Sequence, residues 1–138
     1  MKTGSVINLK YDRPDKELVE LFRYLPVANI DDALGRMSAV VQNIRPLNDV
    51  KLLGPAFTVK VAQGDNLYFH KALDLAQPGD VIVIDSIGTK DRAIFGELMA
   101  GYCRQRGIVG IITDGPVRDV EDLSSYDDMS VYASGVVP

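Results

Sequence analysis

The chain has 138 residues, 46% of them hydrophobic, which is enough for one domain with a real core and too short for a second. A net charge of −4 without a Lys/Arg cluster excludes a nucleic-acid footprint, and a single cysteine excludes a disulfide framework or a cysteine-based zinc site. No basic segment followed by an apolar run opens the chain and no stretch reaches membrane-spanning length, so a cytoplasmic protein that binds no membrane is expected.

Pro14 suits a helix start, and Leu18, Leu21, Phe22 and Leu25 follow at helical spacing until Pro26 stops the pattern. Asn29 is positioned to cap a second helix running through Asp31, Asp32 and Leu34 to Gly35, with the two acids serving its dipole. Residues 52–62, interrupted by Gly54-Pro55, alternate through Phe57, Val59 and Val61 as a strand does. Gly64 or Asp65 opens a helix with Phe69, Ala72, Leu73 and Ala76 on one face; on it, His70 and Asp74 form a solvated pair. The turn Pro78-Gly79-Asp80 leads into 81–85, a continuous apolar run of the kind buried on both faces. A helix over 96–106 follows, with Cys103 as a small core residue and Gly107 as the C-terminal glycine. Residues 108–113 make a second buried strand. Strand, helix and strand form a βαβ unit, whose two strands are parallel with a right-handed crossover. The chain closes on Tyr132-Ala133-Ser134-Gly135-Val136-Val137-Pro138, just after a strand-like run and without a polar tail, which predicts either truncation or a terminus buried by a neighbouring subunit. The tyrosines show no stacking pattern and receive no role.

Ligands of βαβ units collect at the carboxyl ends of the strands, here Asp85-Ser86-Ile87-Gly88 and Asp114-Gly115-Pro116-Val117-Arg118-Asp119. Gly96-Glu97-Leu98-Met99 lies between them in sequence. If the helix begins there, the amides of Glu97, Leu98 and Met99 have no partner within it and make an anion site aided by the dipole. If it begins near Lys90 or Asp91, Gly96 only permits close packing. Arg118-Asp119 reads either as a surface ion pair or as a carboxylate-binding arginine beside a metal-binding acid. Asp114, Asp119 and Asp122 near one strand end offer hard oxygen ligands, or partners to those ligands, for magnesium or manganese.

The runs Gly64-Asp65-Asn66, Gln77-Pro78-Gly79-Asp80-Val81-Ile82-Val83-Ile84-Asp85, Phe95-Gly96-Glu97-Leu98-Met99, Arg106-Gly107-Ile108-Val109-Gly110 and Asp114-Gly115-Pro116-Val117-Arg118-Asp119, with Asn29-Ile30-Asp31-Asp32-Ala33-Leu34 earlier, resemble the RraA-like family. That family includes metal-dependent (class II) pyruvate aldolases acting on 4-hydroxy-4-methyl-2-oxoglutarate and 4-carboxy-4-hydroxy-2-oxoadipate. The resemblance implies an α/β fold of the swivelling β/β/α type around the central parallel βαβ unit. It implies one domain over 1–138 that lacks the family's C-terminal strands. It also implies a homotrimer or hexamer with a pyruvate site between subunits.

Carried over, Arg118 binds the pyruvate oxygens, Asp119 anchors Mg2+ or Mn2+, and the amides of Leu98 and Met99 hold the carboxylate beside Gly96. This favours a helix start near Gly96. Glu97 stands where the aldolases usually have aspartate and, like Asp122, belongs to the surroundings of the metal rather than to its direct ligands. Family members that regulate RNase E lack an acid directly after the arginine, whereas this chain has Asp119. A catalytic acid in the aldolases comes from later residues of a neighbouring subunit. The expectation is a metal-dependent lyase that cleaves 2-oxo acids of the 4-hydroxy-4-methyl-2-oxoglutarate type to pyruvate and decarboxylates oxaloacetate through the same enolate. Arg118, Asp119 and Glu97 carry the chemistry. The alternative is a non-catalytic regulator that binds and inhibits a ribonuclease or another protein.

Overall fold

A computed structural model describes residues 6–40 and 43–138. The N-terminal part carries two short helices, α1 (Lys16–Leu21) and α2 (Val27–Ala33). Asp15 occupies the N-cap position of α1 without a side-chain capping bond, and the predicted apolar stripe covers nothing: Leu18, Leu21, Phe22 and Leu25 are all exposed. α2 starts directly after Pro26 rather than at Asn29, because proline fixes the extended backbone that precedes the first helical turn. Asp31 and Asp32 therefore fall near the C-terminal end of α2, where negative charge opposes the dipole. They serve local contacts instead. Asp31 Oδ1 accepts from the Ser38 amide (3.1 Å) and hydroxyl (2.7 Å), and Asp32 pairs with Arg36 at 2.6 Å.

The rest of the chain runs β1 (Arg45–Pro46), β2 (Ala56–Lys60), α3 (Leu67–Leu75), β3 (Val81–Asp85), α4 (Glu97–Gln105), β4 (Gly110–Thr113), β5 (Pro116–Val117), α5 (Val120–Ser124), β6 (Ser130–Ala133) and β7 (Gly135–Val136). Five strands form one sheet in the order β1-β6-β4-β3-β2, and β5 pairs with β7 in a second. β2, β3, β4 and β6 are parallel, and β1 is antiparallel to β6. Val81 faces Gly110 and Ile84 faces Thr113 in the β3–β4 register, so both strands end at the same edge, as the βαβ reading requires. Central strands β3 and β4 are almost wholly buried, whereas edge strand β2 alternates half-buried Phe57 and Val59 with exposed neighbours. Ile82, Ile84 and Ile111 form the centre of the core with Phe69 and Leu73 of α3, Ala100 and Cys103 of α4, and Leu123 of α5. Phe69 meets Phe95 edge to face at 5.6 Å, which anchors the segment entering α4.

Asn48, unremarkable in the sequence, binds four backbone groups. Its Nδ2 donates to the carbonyls of Leu123, Tyr126 and Met129, and its Oδ1 accepts from the Val131 amide. It thereby fixes the connection from α5 to β6.

Two predictions arise from the fold. Ile87, 48% exposed, is a β-branched residue at φ +55, where its backbone amide donates a hydrogen bond to Asp85 Oδ1 at 2.9 Å. Glycine relieves that left-handed strain, so Ile87→Gly is expected to raise unfolding stability by about 1 kcal/mol in urea titrations. Burial pushes the Cys103 thiol up to about 12. A thiol reagent at pH 8 is therefore expected to leave the native protein unlabelled and to react at one site per chain in denaturant.

Candidate functional site

At the carboxyl edge of the sheet, two loops are fastened together. The Ser86 amide after β3 donates to Asp114 Oδ1 after β4 at 2.6 Å, and Thr113 Oγ1 accepts from the Gly115 amide at 3.0 Å. The segment before α4 is then zipped to β5 and the residue after it: the Ile94 amide donates to the Pro116 carbonyl at 2.9 Å, and the Arg118 amide to the Phe95 carbonyl at 3.1 Å. This register brings Gly96 against Arg118 and Asp119.

Gly96 is the N-cap of α4, so the helix does begin here and not near Lys90. Its extended backbone (φ −139) is open to any residue; the need for glycine is steric. A Cβ would land on Asp119 Oδ2 and come within 2.8 Å of Arg118 Cγ and 3.0 Å of Arg118 Nε. Asp119 adopts the left-handed conformation (φ +55, ψ +43) at the N-cap of α5, yet its side chain caps no amide of that helix. Its Oδ2 accepts from the Glu97 amide at 3.0 Å instead, and lies 3.5 Å from Arg118 Nε. One of the three amides expected to face an anion is thus taken by Asp119. The amides of Leu98 and Met99 have no partner among the described residues. Arg118 and Asp119 are both partly exposed, at 57% and 39%.

The Glu97 side chain runs along α4, its Oε1 only 3.7 Å from where a Cβ on Gly101 would sit. It also faces Tyr126, whose hydroxyl is 3.5 Å from the Glu97 carbonyl. Burial raises the Tyr126 phenol above its usual range; the charges of Glu97 and Asp122 add to the rise, against Arg104 stacked 4.2 Å from the ring. Tyr126 therefore belongs to the surroundings of this site, although the tyrosines carried no legible signal in the sequence. The expected convergence of Asp114, Asp119 and Asp122 does not occur. Asp114 is engaged by the Ser86 amide and Asp122 stands on the exposed first turn of α5. Among the described residues, no group of three His, Cys, Asp or Glu side chains could hold a metal.

A cleft of about 440 Å³ opens beside Gly96 and Arg118, lined also by Leu98 and Met99 and by Asn66, His70 and Arg92, which the motif spacing did not single out for this site. Asn66, the N-cap of α3, donates through Nδ2 to the Ile94 carbonyl at 3.2 Å and to Met99 Sδ at 3.4 Å, locking the start of α3 to the start of α4. The expected His70–Asp74 pair is not formed: Asp74 pairs with Lys71 at 3.3 Å, which leaves His70 on the cleft wall. Another hollow of about 460 Å³, between the segment around Tyr11 and β2, is lined largely by apolar side chains and lies away from Gly96.

With this geometry in view, the comparisons agree on the family. The model of the RraA-like (Aldolase/RraA) family matches residues 27–138, and the chain belongs to that family. A Halalkalibacterium halodurans protein named "Putative 4-hydroxy-4-methyl-2-oxoglutarate aldolase" is 44% identical over 105 residues, covering 75% of this chain and 50% of the relative. A Shewanella oneidensis protein of the same name is 42% identical over 85 residues, covering 62% of this chain and 51% of the relative. The chain thus spans about half the length of these two relatives. Streptomyces coelicolor RraAS2, described as an unusual member of the RNase ES inhibitor RraA protein family, superposes with a TM-score of 0.76 at 25% identity. That match covers 91% of this chain and 67% of RraAS2. The α/β architecture expected from the sequence is the fold of this family. Among the described residues no helix is long and apolar enough to cross a membrane.

Proposed function

We propose that this chain carries the pyruvate-forming site of a divalent-metal-dependent lyase that cleaves 2-oxo acids of the 4-hydroxy-4-methyl-2-oxoglutarate type and decarboxylates oxaloacetate. The observation that carries the reading is the Asp119 carboxylate, held by the Glu97 amide beside Arg118, next to the two unpartnered amides of Leu98 and Met99. A lone, partly exposed carboxylate fits Mg2+ or Mn2+ better than a closed cage would, because magnesium keeps most of its waters and takes one or two protein carboxylates. An ion on Asp119 would supply Lewis acidity to the 2-oxo group.

The chain's own residues do the remaining work. The Leu98 and Met99 amides orient the substrate carboxylate at the positive end of α4. Arg118 places a fixed charge where the enolate oxygen develops, and such preorganised charge is commonly the largest catalytic contribution. Glu97, with its carboxylate on the first turn of α4, is the group assigned to relay through water the proton leaving the 4-hydroxyl as the C3–C4 bond breaks and its electron pair passes to pyruvate. The Tyr126 phenol lies within reach of the charges of both Glu97 and Asp122. The exposed apolar side chains in and around α1 and α2, among them Leu21, Val27 and Leu34, support self-association. The assembly proposed is a cytoplasmic homotrimer or hexamer with the site at a subunit interface.

The test is pyruvate release from oxaloacetate and from 4-hydroxy-4-methyl-2-oxoglutarate, measured with magnesium and then with EDTA. Magnesium-dependent release from both supports the lyase. Release from neither favours the second reading, for which the likeness to RraAS2 speaks: a non-catalytic regulator that binds a ribonuclease without needing metal.

A further inference from the structure

We infer that Thr89 is a positioning residue: it joins the three loops at the carboxyl edge of the sheet and so keeps the start of α4 in register with Arg118 and Asp119. This rests on reading that edge as the lyase site.

Thr89 lies in the β3–α4 loop, is only 1% exposed, and uses its hydroxyl twice. Oγ1 donates to the Ser86 carbonyl at 2.7 Å and accepts from the Gly64 amide, in the β2–α3 loop, at 2.9 Å. The Thr89 amide also donates to the Ser86 carbonyl, at 3.2 Å. These bonds close a reversal of the chain in which Ile87 (φ +55) and Gly88 (φ +67) both have positive φ, the mark of a type I′ turn. Ser86, fully buried, passes the connection on, because its amide donates to Asp114 Oδ1 at 2.6 Å in the turn after β4. Three loops therefore meet in one series of bonds, Gly64 to Thr89, Thr89 to Ser86, and Ser86 to Asp114.

Each loop then runs on to a part of the site. From Gly64 the chain reaches Asn66, whose Nδ2 holds the Ile94 carbonyl and Met99 Sδ. From Thr89 it reaches Gly96 and the free amides of Leu98 and Met99. From Asp114 it reaches Arg118 and Asp119. The amides that would hold the substrate and the carboxylate that would hold the metal thus sit on different loops. They meet at the Ile94–Pro116 and Arg118–Phe95 backbone bonds and at the Glu97 amide on the partly exposed Asp119. Thr89 supports this meeting from both sides, directly through the β3–α4 loop and through Gly64 for the loop that carries Asn66. The stem of Arg92 lies over Gly64, with its Cδ 2.5 Å from where a Cβ would stand, so the two loops are packed as well as bonded there. Buried hydrogen bonds of this kind hold a single arrangement better than exposed ones do.

The experiment compares Thr89→Val, which has nearly the same shape but loses both hydroxyl bonds, with Thr89→Ser, which keeps them. Amide hydrogen exchange followed by NMR reads the arrangement without needing turnover. Thr89→Val is expected to speed exchange of the Ile94 and Glu97 amides about tenfold, while the amides of β3 and β4 exchange as in the wild type. Thr89→Ser is expected to match the wild type at all of them. In pyruvate release, Thr89→Val is expected to lower kcat about tenfold to a hundredfold at unchanged magnesium affinity, and Thr89→Ser to restore it. Wild-type exchange at Ile94 and Glu97 in Thr89→Val, or wild-type kcat in that variant, would overturn the inference. Equal loss of protection in β3 and β4 would overturn it too, because Thr89 would then only hold the fold. If the wild type releases no pyruvate, the lyase reading fails, and the exchange pattern alone decides whether Thr89 holds the start of α4.

Discussion

Asp119→Asn is expected to lower metal-dependent pyruvate release by about a hundredfold to a thousandfold while leaving the fold intact. Asparagine tolerates the left-handed backbone of this position (φ +55), and its Oδ1 can still accept from the Glu97 amide. The substitution therefore removes a negative charge and one hard oxygen and little else. Steady-state rates across a magnesium titration, paired with thermal melts, separate the two effects. Asp119→Ala should lose activity equally and should also unfold more easily, by about 1–2 kcal/mol, because alanine accepts no hydrogen bond and is strained in that backbone. Full activity in Asp119→Asn would remove Asp119 from the chemistry.

Gly96→Ala is expected to cut kcat/KM about a hundredfold through geometry alone, since misplacing reacting groups by about an ångström has that cost. The added Cβ must displace Asp119 Oδ2 and push back Arg118, whose Cγ would be 2.8 Å away. Stability should fall by about 1–3 kcal/mol, as overpacked sites do. Gly101→Ala is the control. It sits inside α4, where a Cβ meets only Glu97 Oε1 at 3.7 Å, so the helix should gain about 0.5–1 kcal/mol. A Gly96→Ala enzyme with unchanged kinetics would show that the Arg118–Asp119 arrangement matters little to turnover.

How much of this was legible depends on where each signal resides. β3 and β4 could be read because strands buried on both faces are continuous apolar runs, and the glycines around α4 mark its ends: Gly107, at φ +76, ends the helix as expected. The spacing alone leaves the start of α4 open, and the family motif favours Gly96. Spacing alone cannot tell a glycine that caps a helix from one that admits a neighbour, and Gly96 does both. The two-residue strands β1, β5 and β7 escaped because a strand that short has no period; their pairing is decided by distant partners. The five-residue α5 escaped for a similar reason, and its start at Asp119 is the less visible because the backbone there is left-handed. Asp31 and Asp32 do not serve the dipole of α2 because its N-cap is Pro26, three residues before Asn29, and Asn29 has the cap chemistry that misleads. Most of the cleft wall was illegible as well. Asn66, His70 and Arg92 converge with Arg118 only through tertiary packing, and no local pattern connects them.

The central claim is that this edge of the sheet stabilises a pyruvate enolate through Arg118 and a metal on Asp119. It is tested most directly by exchange of the pyruvate methyl protons in deuterated water, followed by proton NMR. This measurement needs no knowledge of the natural substrate and no aldol cleavage. The account predicts catalysed exchange with magnesium that stops on adding EDTA and is lost in both Asp119→Asn and Arg118→Ala. A wild-type protein that leaves the methyl signal intact, or an Asp119→Asn variant that exchanges it at the wild-type rate, would contradict it.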